Sequence, residues 1–475
     1  MTLLTTLDGD KLQLDEDTFG GLRVSLRGPL LAPEAPGFDE ACRIWNAMIP
    51  ARPGLVVQPT GTADIVAGVQ FARQHKIGIS AKGGGHNIAG TCLVDGGMTL
   101  DLSRMRGVLV DPGSRIARVQ AGCLLGDVDR ETQLFGLATP LGFVSETGVA
   151  GLTVGGGFGY LTRRFGWTVD NLLEMEVVTA DGEIVRASED TNADLFWALR
   201  GGGGNFGIVT AFTFKLHALG PKVTGGLIIW PGEHAEEVLA KYREATETAP
   251  RELTLAAAVR MAAPPAPFIP KDRHGKPWAA LIVCHSGSKA QAESDLAALR
   301  GFGKPMVDLI GEMPYVKLQS LLDATQPKGV CYYWKSEFLP KLSATTDSLM
   351  NRHAMSATSP MSQIVLFHIG GALAERSADD GAVGNRDAEY MLGIQASWPP
   401  DDKVGQPHVQ WARAAWQELR SHSTGGVYVN FLTAEEGEDR VRAAYKDNYG
   451  RLAQVKAKFD PNNLFRSNKN IAPAS

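Results

Sequence analysis

The sequence predicts an α+β fold, and two observations support this prediction. Residues 55–220 contain many short β-branched and apolar runs separated by glycine, proline and serine, which is typical of strands joined by turns. Beyond residue 220, apolar runs alternate with segments of helical periodicity, which indicates a second sheet with its own helices. The 475 residues suffice for roughly two to three domains.

The first elements form a strand–helix–strand unit over residues 55–81. The short apolar run 55–58 ends at Pro59, and Thr62 is a plausible N-cap residue. Apolar residues at helical spacing follow, and strand character returns at 77–81. Further along, residues 127–137 favour a helix, and Asp181-Gly182 predicts a hairpin turn. The other strands predicted before residue 220 are 98–102, 107–111, 116–120, 176–179 and 208–214.

A second region begins after Gly220-Pro221. Helical periodicity covers 234–248 and 290–299, and the Pro-rich stretch 262–270 predicts a surface loop. A final amphipathic helix carries Tyr449 and ends at Asp460-Pro461. Strands are predicted at 227–230, 279–285, 365–369 and 426–431. We therefore divide the chain into a first domain (1–220), a second domain (221–425) and a C-terminal segment (426–475) that returns to the first.

Composition excludes several classes of function. The net charge of −5 without basic runs argues against a nucleic-acid partner. No apolar run reaches membrane-spanning length, and acids interrupt the first ten residues, so we expect neither a membrane span nor a signal peptide. Five scattered cysteines without a CxxC pair indicate free thiols in a reducing, cytoplasmic location and no metal site.

The stretch Lys82-Gly83-Gly84-Gly85-His86-Asn87 is the strongest local signal. Three glycines allow positive φ and let backbone N–H groups approach an anion such as a phosphate. An imidazole next to such a loop would lie close to whatever the phosphates carry. The alternative is a surface turn that happens to end in histidine.

Two further glycine clusters occupy residues 155–159 and 202–207. The second satisfies GxGxxG, but it follows a helical pattern and enters a β run, whereas a dinucleotide fingerprint follows a strand and opens a helix. It is therefore a weak nicotinamide signal. Three clusters in one domain favour an extended ligand that lies across it, although each alone could be a close backbone crossing.

At this point the sequence resembles a known family. The motifs occur in a fixed order and read KGGGHN (82–87), GVAGLTVGGGFGYLTRRFGWTVDN (148–171), DLFWALRGGGGNFGIVT (194–210) and FDPNNLF (459–465). Together they resemble the berberine-bridge-enzyme-like FAD-linked oxidases of the vanillyl-alcohol oxidase/p-cresol methylhydroxylase superfamily. The resemblance runs from Arg43 to Ile471. It implies a PCMH-type FAD-binding domain of two α+β subdomains, and a substrate domain with an antiparallel sheet backed by helices.

The resemblance also implies site residues. His86 would carry the flavin through an 8α-histidyl bond. The other residues that it implies for FAD binding are Lys82, Gly83, Gly84, Gly85, Asn87, Gly155, Gly156, Gly157, Asp170, Asn171, Gly207, Ile208, Asn468 and Asn470. Many relatives have a second, cysteinyl link, but Val144 occupies that position here. A single covalent link, as in the monocovalent branch, is therefore expected, and a sugar substrate becomes less favoured.

Tyr428 matches a tyrosine that faces the substrate in the family, and we predict it as the catalytic residue. A base role would require a neighbouring cation or donor to lower its pKa from about 10. A buried core tyrosine is the alternative interpretation. The predicted substrate-pocket residues are Phe158, Tyr333, Trp334, His368 and Tyr449, and ordinary packing is the alternative for the last four.

The predicted function is oxidation of a small-molecule alcohol or amine by hydride transfer to flavin N5, with O2 as acceptor and H2O2 as product. The flavin would supply the redox chemistry and the protein the positioning. The alternatives are a carbohydrate oxidase or dehydrogenase of the same family, or a flavin-binding protein without turnover. The sequence does not indicate the oligomeric state.

Overall fold

The computed structural model describes residues 2–474, and its N-terminal half is a mixture of short strands and helices. The strands are β1 (Thr2–Thr5), β2 (Lys11–Leu14), β3 (Leu30–Leu31), β4 (Leu55–Val57), β5 (Ile79–Lys82), β6 (Met98–Asp101), β7 (Val108–Asp111), β8 (Ile116–Gln120), β9 (Leu137–Ala138), β10 (Leu172–Val178), β11 (Ile184–Ser188), β12 (Ile208–Lys215) and β13 (His217–Ala218). The helices are α1 (Glu16–Ser25), α2 (Phe38–Cys42), α3 (Thr62–Gln74), α4 (Leu125–Thr132), α5 (Val149–Val154), α6 (Thr162–Phe165) and α7 (Ala193–Leu199).

Two small sheets organise this half. One has the order β3-β4-β6-β5, with β6 parallel to both β4 and β5. The other is antiparallel and has the order β11-β10-β12-β8-β7. The parallel sheet ends at Lys82, so the glycine-rich loop leaves from the carboxyl end of β5, where ligands commonly bind in α/β units.

The second half is built on one large antiparallel sheet. Its strands are β14 (Lys222–Pro231), β15 (Leu253–Arg260), β16 (Trp278–His285), β17 (Val307–Asp308), β18 (Gly311–Pro314), β19 (Cys331–Leu339), β20 (Gln363–His368) and β21 (Tyr390–Trp398). The sheet order is β17-β14-β16-β15-β20-β21-β19, with β18 also paired to β14. The helices are α8 (Ala235–Glu247), α9 (Lys289–Arg300), α10 (Tyr315–Gln319), α11 (Ala344–Met355), α12 (Gln406–Leu419), α13 (Glu438–Tyr445) and α14 (Asn448–Phe459).

The large sheet has two different faces because side chains alternate along each strand. Leu255, Leu281 and Ile394 belong to the face that packs with apolar residues of α8, α9, α11 and α12. Ala258 and Val365 belong to the opposite face, which joins the core of the N-terminal half. This second face, called the inner face below, forms one wall of the cavity described in the next subsection.

The α+β class and the antiparallel second sheet are confirmed. The predicted hairpin is present: β10 pairs with β11 around Gly182, whose φ is +80°. Helix α3 begins at Thr62, but its N-cap is Gly61. The predicted strand 426–431 is wrong, because the backbone there turns into a 3-10 helix at Val429–Phe431.

The large sheet begins at Lys222, close to the predicted boundary at residue 220, and both domain boundaries stay predictions. Over residues 2–474, no helix combines the length and the apolar character needed to cross a bilayer. The same residues contain no cluster of His, Cys, Asp or Glu suited to a metal ion. All five cysteines are free thiols.

Candidate functional site

A cavity of about 1150 Å³ lies between loops of the N-terminal half and the inner face of the large sheet. Sites for drug-sized ligands usually measure about 300–1,000 Å³, so this cavity can hold a ligand of larger size. Its walls come from the loop after β5, from α5 and the residues before it, from residues 203–209, and from the C-terminal return. The cavity therefore collects two of the three glycine-rich motifs found in the sequence.

His86 lies in the cavity wall and is held by aromatic packing. Its imidazole stacks on the Trp45 indole with ring centroids 4.1 Å apart, and Trp45 stacks in turn on Tyr332 at 3.7 Å. The Trp45 backbone N–H donates to the Gly85 carbonyl at 3.0 Å, and its indole N–H donates to the Gln326 carbonyl at 2.9 Å. Trp45 thereby fixes both the histidine ring and the loop that carries it.

The His86 imidazole is neutral at physiological pH. Burial lowers its pKa to about 4, because the charged form loses its hydration. The Nε2 atom is buried and has no hydrogen-bond partner among the described residues. A buried polar atom without a partner is costly, so a ligand that bonds to Nε2 would remove this cost.

The glycine loop has a steric reason for its composition. A Cβ at Gly84 would come closer than 3.0 Å to the Gly148 backbone, and a Cβ at Gly148 would equally clash with Gly84. Gly85 has a φ of +68°, which glycine adopts without strain. The two segments therefore cross at backbone contact, and both glycines line the cavity.

The C-terminal return forms another part of the cavity wall. Asn205 donates to the Gly202 and Lys469 carbonyls and accepts from the Ile471 N–H at 3.0 Å. Asn468 donates to the Phe465 carbonyl at 2.9 Å. These bonds tie the loop 203–207 to the last residues of the chain, so the FDPNNLF motif helps to build the cavity wall.

About half of the predicted site residues line the cavity. They are Gly83, Gly84, Gly85, His86, Asn87, Gly207, Ile208, Asn468, Phe158, Trp334 and Tyr428. The Val144 side chain lines it too, at the position predicted to lack a cysteine. Cys92 is also in the wall, but burial raises the pKa of its thiol to about 12, so it stays a weak nucleophile.

Lys82 does not line the cavity. Its ammonium group donates to the Ala41 carbonyl at 2.5 Å and pairs with Asp101 at 3.2 Å, with both side chains buried. Lys82 therefore anchors the end of β5, and its role in cofactor binding stays a prediction. A buried cation needs such a partner, and Asp101 on the neighbouring strand β6 supplies it.

The second glycine cluster has a packing role. A Cβ at Gly155 would overlap the Asn430 amide, and one at Gly157, whose φ is +76°, would overlap Thr168. Gly156 has a φ of +117° and lies against Trp167. None of these three glycines is among the described residues that line the large cavity. The cluster lets the chain pack closely beneath Tyr428, and its role in cofactor binding stays a prediction.

Asp170 and Asn171 are likewise structural. Asp170 forms a two-pronged ion pair with Arg386 at 2.7 and 3.0 Å and accepts from the Trp167 N–H. Asn171 donates to the Phe165 and Trp167 carbonyls. These bonds hold the turn after α6, and the cofactor role of both residues stays a prediction.

Three predicted pocket residues face away from the cavity. The Tyr333 hydroxyl bonds to Glu435 and Arg413 on the outer face of the sheet. His368 bonds to Arg163 at 2.6 Å and to Glu389 at 2.7 Å. Tyr449 lies under the Arg442 guanidinium, 4.0 Å from its ring centroid. Asn470, predicted to contact the cofactor, also lies outside the lining of the cavity.

Tyr428 is buried and lines the cavity beside Phe158. Its hydroxyl oxygen accepts the Gly157 N–H at 3.0 Å and the Asn430 amide at 2.9 Å. Burial nevertheless raises the pKa of Tyr428 to about 12, and no cation faces it among the described residues. Tyr428 therefore lacks the lowered pKa that a catalytic base would need. Its phenol is protonated at neutral pH, and the O–H proton is free to donate a hydrogen bond.

The charged side chains of the described cavity wall are all basic. No Asp or Glu occurs among the described residues that line it, whereas Arg260 and Lys469 both do. Burial lowers the pKa of Lys469 to about 8. Trp45, Arg260 and Lys469 were missed from the sequence. Only Arg260 could have been noticed in the sequence. It is a single charged residue at the end of the otherwise uncharged, alanine-rich strand β15.

Comparison with known protein families gives matches to the N-terminal half and to the C-terminal return. The FAD-binding domain family matches residues 53–188, and the berberine and berberine-like family matches residues 427–472. An FAD-linked oxidoreductase of Dictyostelium discoideum is 33% identical over 90% of this chain and 91% of its own. (R)-6-hydroxynicotine oxidase of Paenarthrobacter nicotinovorans is 30% identical over 95% of this chain and 98% of its own.

Solved structures share the fold over almost the whole chain. The crystal structure of 6-hydroxy-D-nicotine oxidase from Arthrobacter nicotinovorans has a TM-score of 0.85 and 28% identity, and it covers 95% of this chain and 99% of its own. A chitooligosaccharide oxidase has the same TM-score at 24% identity, covering 97% of this chain and 100% of its own, which shows the fold alone.

Proposed function

Since this chain belongs to the berberine-like family of FAD-dependent oxidoreductases, we propose that it is an oxidase of small-molecule alcohols or amines with its flavin bound covalently to His86. The observation that carries the proposal is the buried, unpartnered Nε2 of His86 in the wall of a cavity large enough for a dinucleotide and a substrate. The similarity to (R)-6-hydroxynicotine oxidase supports the substrate class.

The residues present fit FAD. Gly84 and Gly148 line the cavity beside His86, and residues of the loop 203–209 and Asn468 line it as well. The absence of carboxylates from the described cavity wall suits a ligand with two phosphate charges. These residues would hold the cofactor between the N-terminal half and the C-terminal return.

The proposed link uses Nε2, because a neutral nitrogen with a free lone pair is the nucleophile. An N–C bond to the 8α carbon would replace one C–H bond and the imidazole N–H, while two electrons and two protons pass to O2 as H2O2. Val144 and the protonated Cys92 thiol support a single link, since neither can supply a thiolate from the wall.

We expect flavin attachment to be nearly independent of pH between 5.5 and 8. An imidazole with a pKa of about 4 stays neutral over this range. An imidazole with the ordinary pKa of about 6.5 would lose about tenfold in its neutral fraction at pH 5.5. The measurement is the rate of covalent attachment when apoprotein is mixed with FAD, followed by flavin fluorescence in denaturing gels. A tenfold slower rate at pH 5.5 would contradict the burial of His86.

When bound, the flavin accepts two electrons as a hydride from a substrate C–H bond, which is chemistry that side chains do not supply. Tyr428 contributes a hydrogen bond. Because its oxygen already accepts from Gly157 and Asn430, its proton is available for the hydroxyl or amine of the substrate. Phe158, Trp334 and Phe431 line the same wall and exclude water.

The direct test of this function is anaerobic reduction of the bound flavin by a panel of alcohols and amines. We expect at least one compound to bleach the visible absorbance, and re-aeration to restore it with formation of H2O2. Bleaching without reoxidation by O2 would indicate a dehydrogenase, and bleaching only by sugars a carbohydrate oxidase. No bleaching by any member would contradict turnover and leave flavin binding alone.

Replacing Tyr428 with phenylalanine should lower kcat/KM for the best compound of that panel about 10- to 100-fold, the usual worth of one buried hydrogen bond to a reacting group. Tyr445→Phe is the matched control, because Tyr445 lines the cavity and its hydroxyl has no partner among the described residues. Equal kcat/KM values for Tyr428→Phe and wild type would assign Tyr428 to packing.

A further inference from the structure

Five cavity-lining side chains form one row across the inner face of the large sheet. The register pairs Arg260 with Trp278, Gln363 with Gln395, and Trp334 with Gln395. Val259 of β15 pairs with Ile364 of the antiparallel strand β20. Continuing this register by one residue on each strand places Arg260 opposite Gln363. The row therefore runs Trp278, Arg260, Gln363, Gln395, Trp334. At about 4.8 Å per strand it spans roughly 19 Å.

Arg260 carries a charge that the protein does not neutralise. It forms no ion pair with any residue in the range 2–474, although its guanidinium donates to the Met361 carbonyl at 2.8 Å. The guanidinium also lies 5.9 Å from the Trp278 ring centroid. The Nε atom is buried without a hydrogen-bond partner in the described chain.

Burial alone lowers the pKa of Arg260 to about 10, since no acidic group opposes this effect. The side chain is therefore still charged at neutral pH. The half-buried guanidinium has no carboxylate partner among the described residues, and a guanidinium matches a carboxylate with two parallel N–H···O bonds. The missing partner is an anion that enters the cavity.

The neighbouring amides extend the polar part of the row. Gln395 accepts the Gln363 amide at 2.6 Å through Oε1, and Gln326 donates to the same oxygen at 3.4 Å. The Gln326 Oε1 is buried and has no partner among residues of the described chain. Hydrogen-bonding groups thus continue from Arg260 toward Trp334, while a tryptophan stands at each end.

We propose that Arg260 binds a carboxylate of the substrate, so that the compound oxidised is an organic acid with an aromatic or other flat apolar part held between the two tryptophans. This inference rests on the proposed function, because it names the substrate class of the same site. The amides of Gln363 and Gln395 would hydrogen-bond polar atoms in the middle of such a molecule. An apolar wall with a few convergent polar groups is the usual form of such sites.

The test compares acids with their neutral amides by isothermal titration calorimetry of the holoenzyme. The probes are benzoate, cinnamate and indole-3-acetate, each with the corresponding amide. We expect at least one acid to bind 10-fold or more tightly than its amide. Arg260→Gln should weaken binding of that acid about 10- to 100-fold and leave the amide unchanged, whereas Arg260→Lys should retain part of the preference.

Lys469→Gln is the matched control, because it removes a positive charge from the same cavity wall. If it weakens acid binding as much as Arg260→Gln, the preference is a long-range charge effect and the proposal fails. Equal binding of acids and amides, or failure of all three acids to bind at 10 mM or below, would also overturn it. Because calorimetry needs no turnover, acid binding without flavin reduction would count against the proposed function only.

Discussion

Replacing His86 with alanine is expected to abolish covalent flavin. Wild-type protein precipitated with acid should keep its yellow colour, and its polypeptide band should fluoresce in a denaturing gel. The alanine variant should release all of its FAD on precipitation, because the nitrogen proposed to form the bond is then gone. Turnover should fall about tenfold or more, since the cofactor is then positioned by non-covalent contacts alone.

His274→Ala is the matched control for this prediction. His274 is the second histidine among the described residues of the cavity wall, and its Nε2 bonds to the Ile269 carbonyl at 3.1 Å. Its removal should leave covalent flavin stoichiometric. Loss of the flavin from wild type on precipitation, or retention of covalent flavin by His86→Ala, would contradict the assignment, and loss from His274→Ala would move the link to His274. Intact mass measurement distinguishes these outcomes, because the linked flavin adds its mass to the chain.

Strand alternation explains which pocket residues the sequence could predict. The sequence places Tyr333 and Trp334 on one strand, but consecutive side chains point to opposite faces. Trp334 therefore lines the cavity, while Tyr333 joins the core under α12. The same rule separates Phe367, which lines the cavity, from His368. The sequence alone did not show which face of the sheet would meet the cofactor domain.

The sequence predicts that the backbone comes close to another group at each glycine cluster. It does not predict which residue that other group belongs to. At Gly84 the partner is Gly148, and both glycines line the cavity. At Gly155 the partner is the Asn430 side chain, and the crossing supports Tyr428 instead. Both clusters follow the same steric rule, and only the tertiary arrangement decides whether a ligand or a side chain occupies the space.

Trp45 and Arg260 show the limit of local patterns. Trp45 meets His86 across forty residues of chain, and its neighbour Tyr332 comes from the second half. Arg260 gains its significance from strands that pair with it and from the lack of acids in the described cavity wall. Such contacts depend on topology, because residues distant in sequence meet only after the sheets have formed.

The buried pair Lys456–Asp460 leads to the second large prediction, because it connects the C-terminal return to the cavity. Both side chains are fully buried, and their charged atoms lie 2.6 Å apart. The Lys456 ammonium also donates to the Asn205 carbonyl at 2.7 Å and the Phe465 carbonyl at 3.0 Å. Asp460 accepts the backbone N–H groups of Leu464 and Phe465, each at 2.8 Å.

Asp460→Asn should therefore lower the free energy of unfolding by about 3–5 kcal/mol, since it leaves the Lys456 ammonium buried without a counter-charge. The thermal midpoint should fall by at least about 5 °C. Adding Lys456→Met should recover part of this loss, because the unpaired charge is then gone. Lys458→Gln is the matched control: its pair with Asp194 is exposed and should contribute less than about 1 kcal/mol.

Flavin loading provides a second measurement on the same variants. Lys456 holds the Asn205 carbonyl, and Asn205 lies in the cavity wall, so loosening the pair should also slow covalent attachment of FAD to Asp460→Asn apoprotein. Lys458→Gln should load at the wild-type rate. A stability loss with unchanged loading would show that the C-terminal return stabilises the fold without shaping the cofactor end of the cavity. Unchanged stability in Asp460→Asn would contradict the burial of the pair itself.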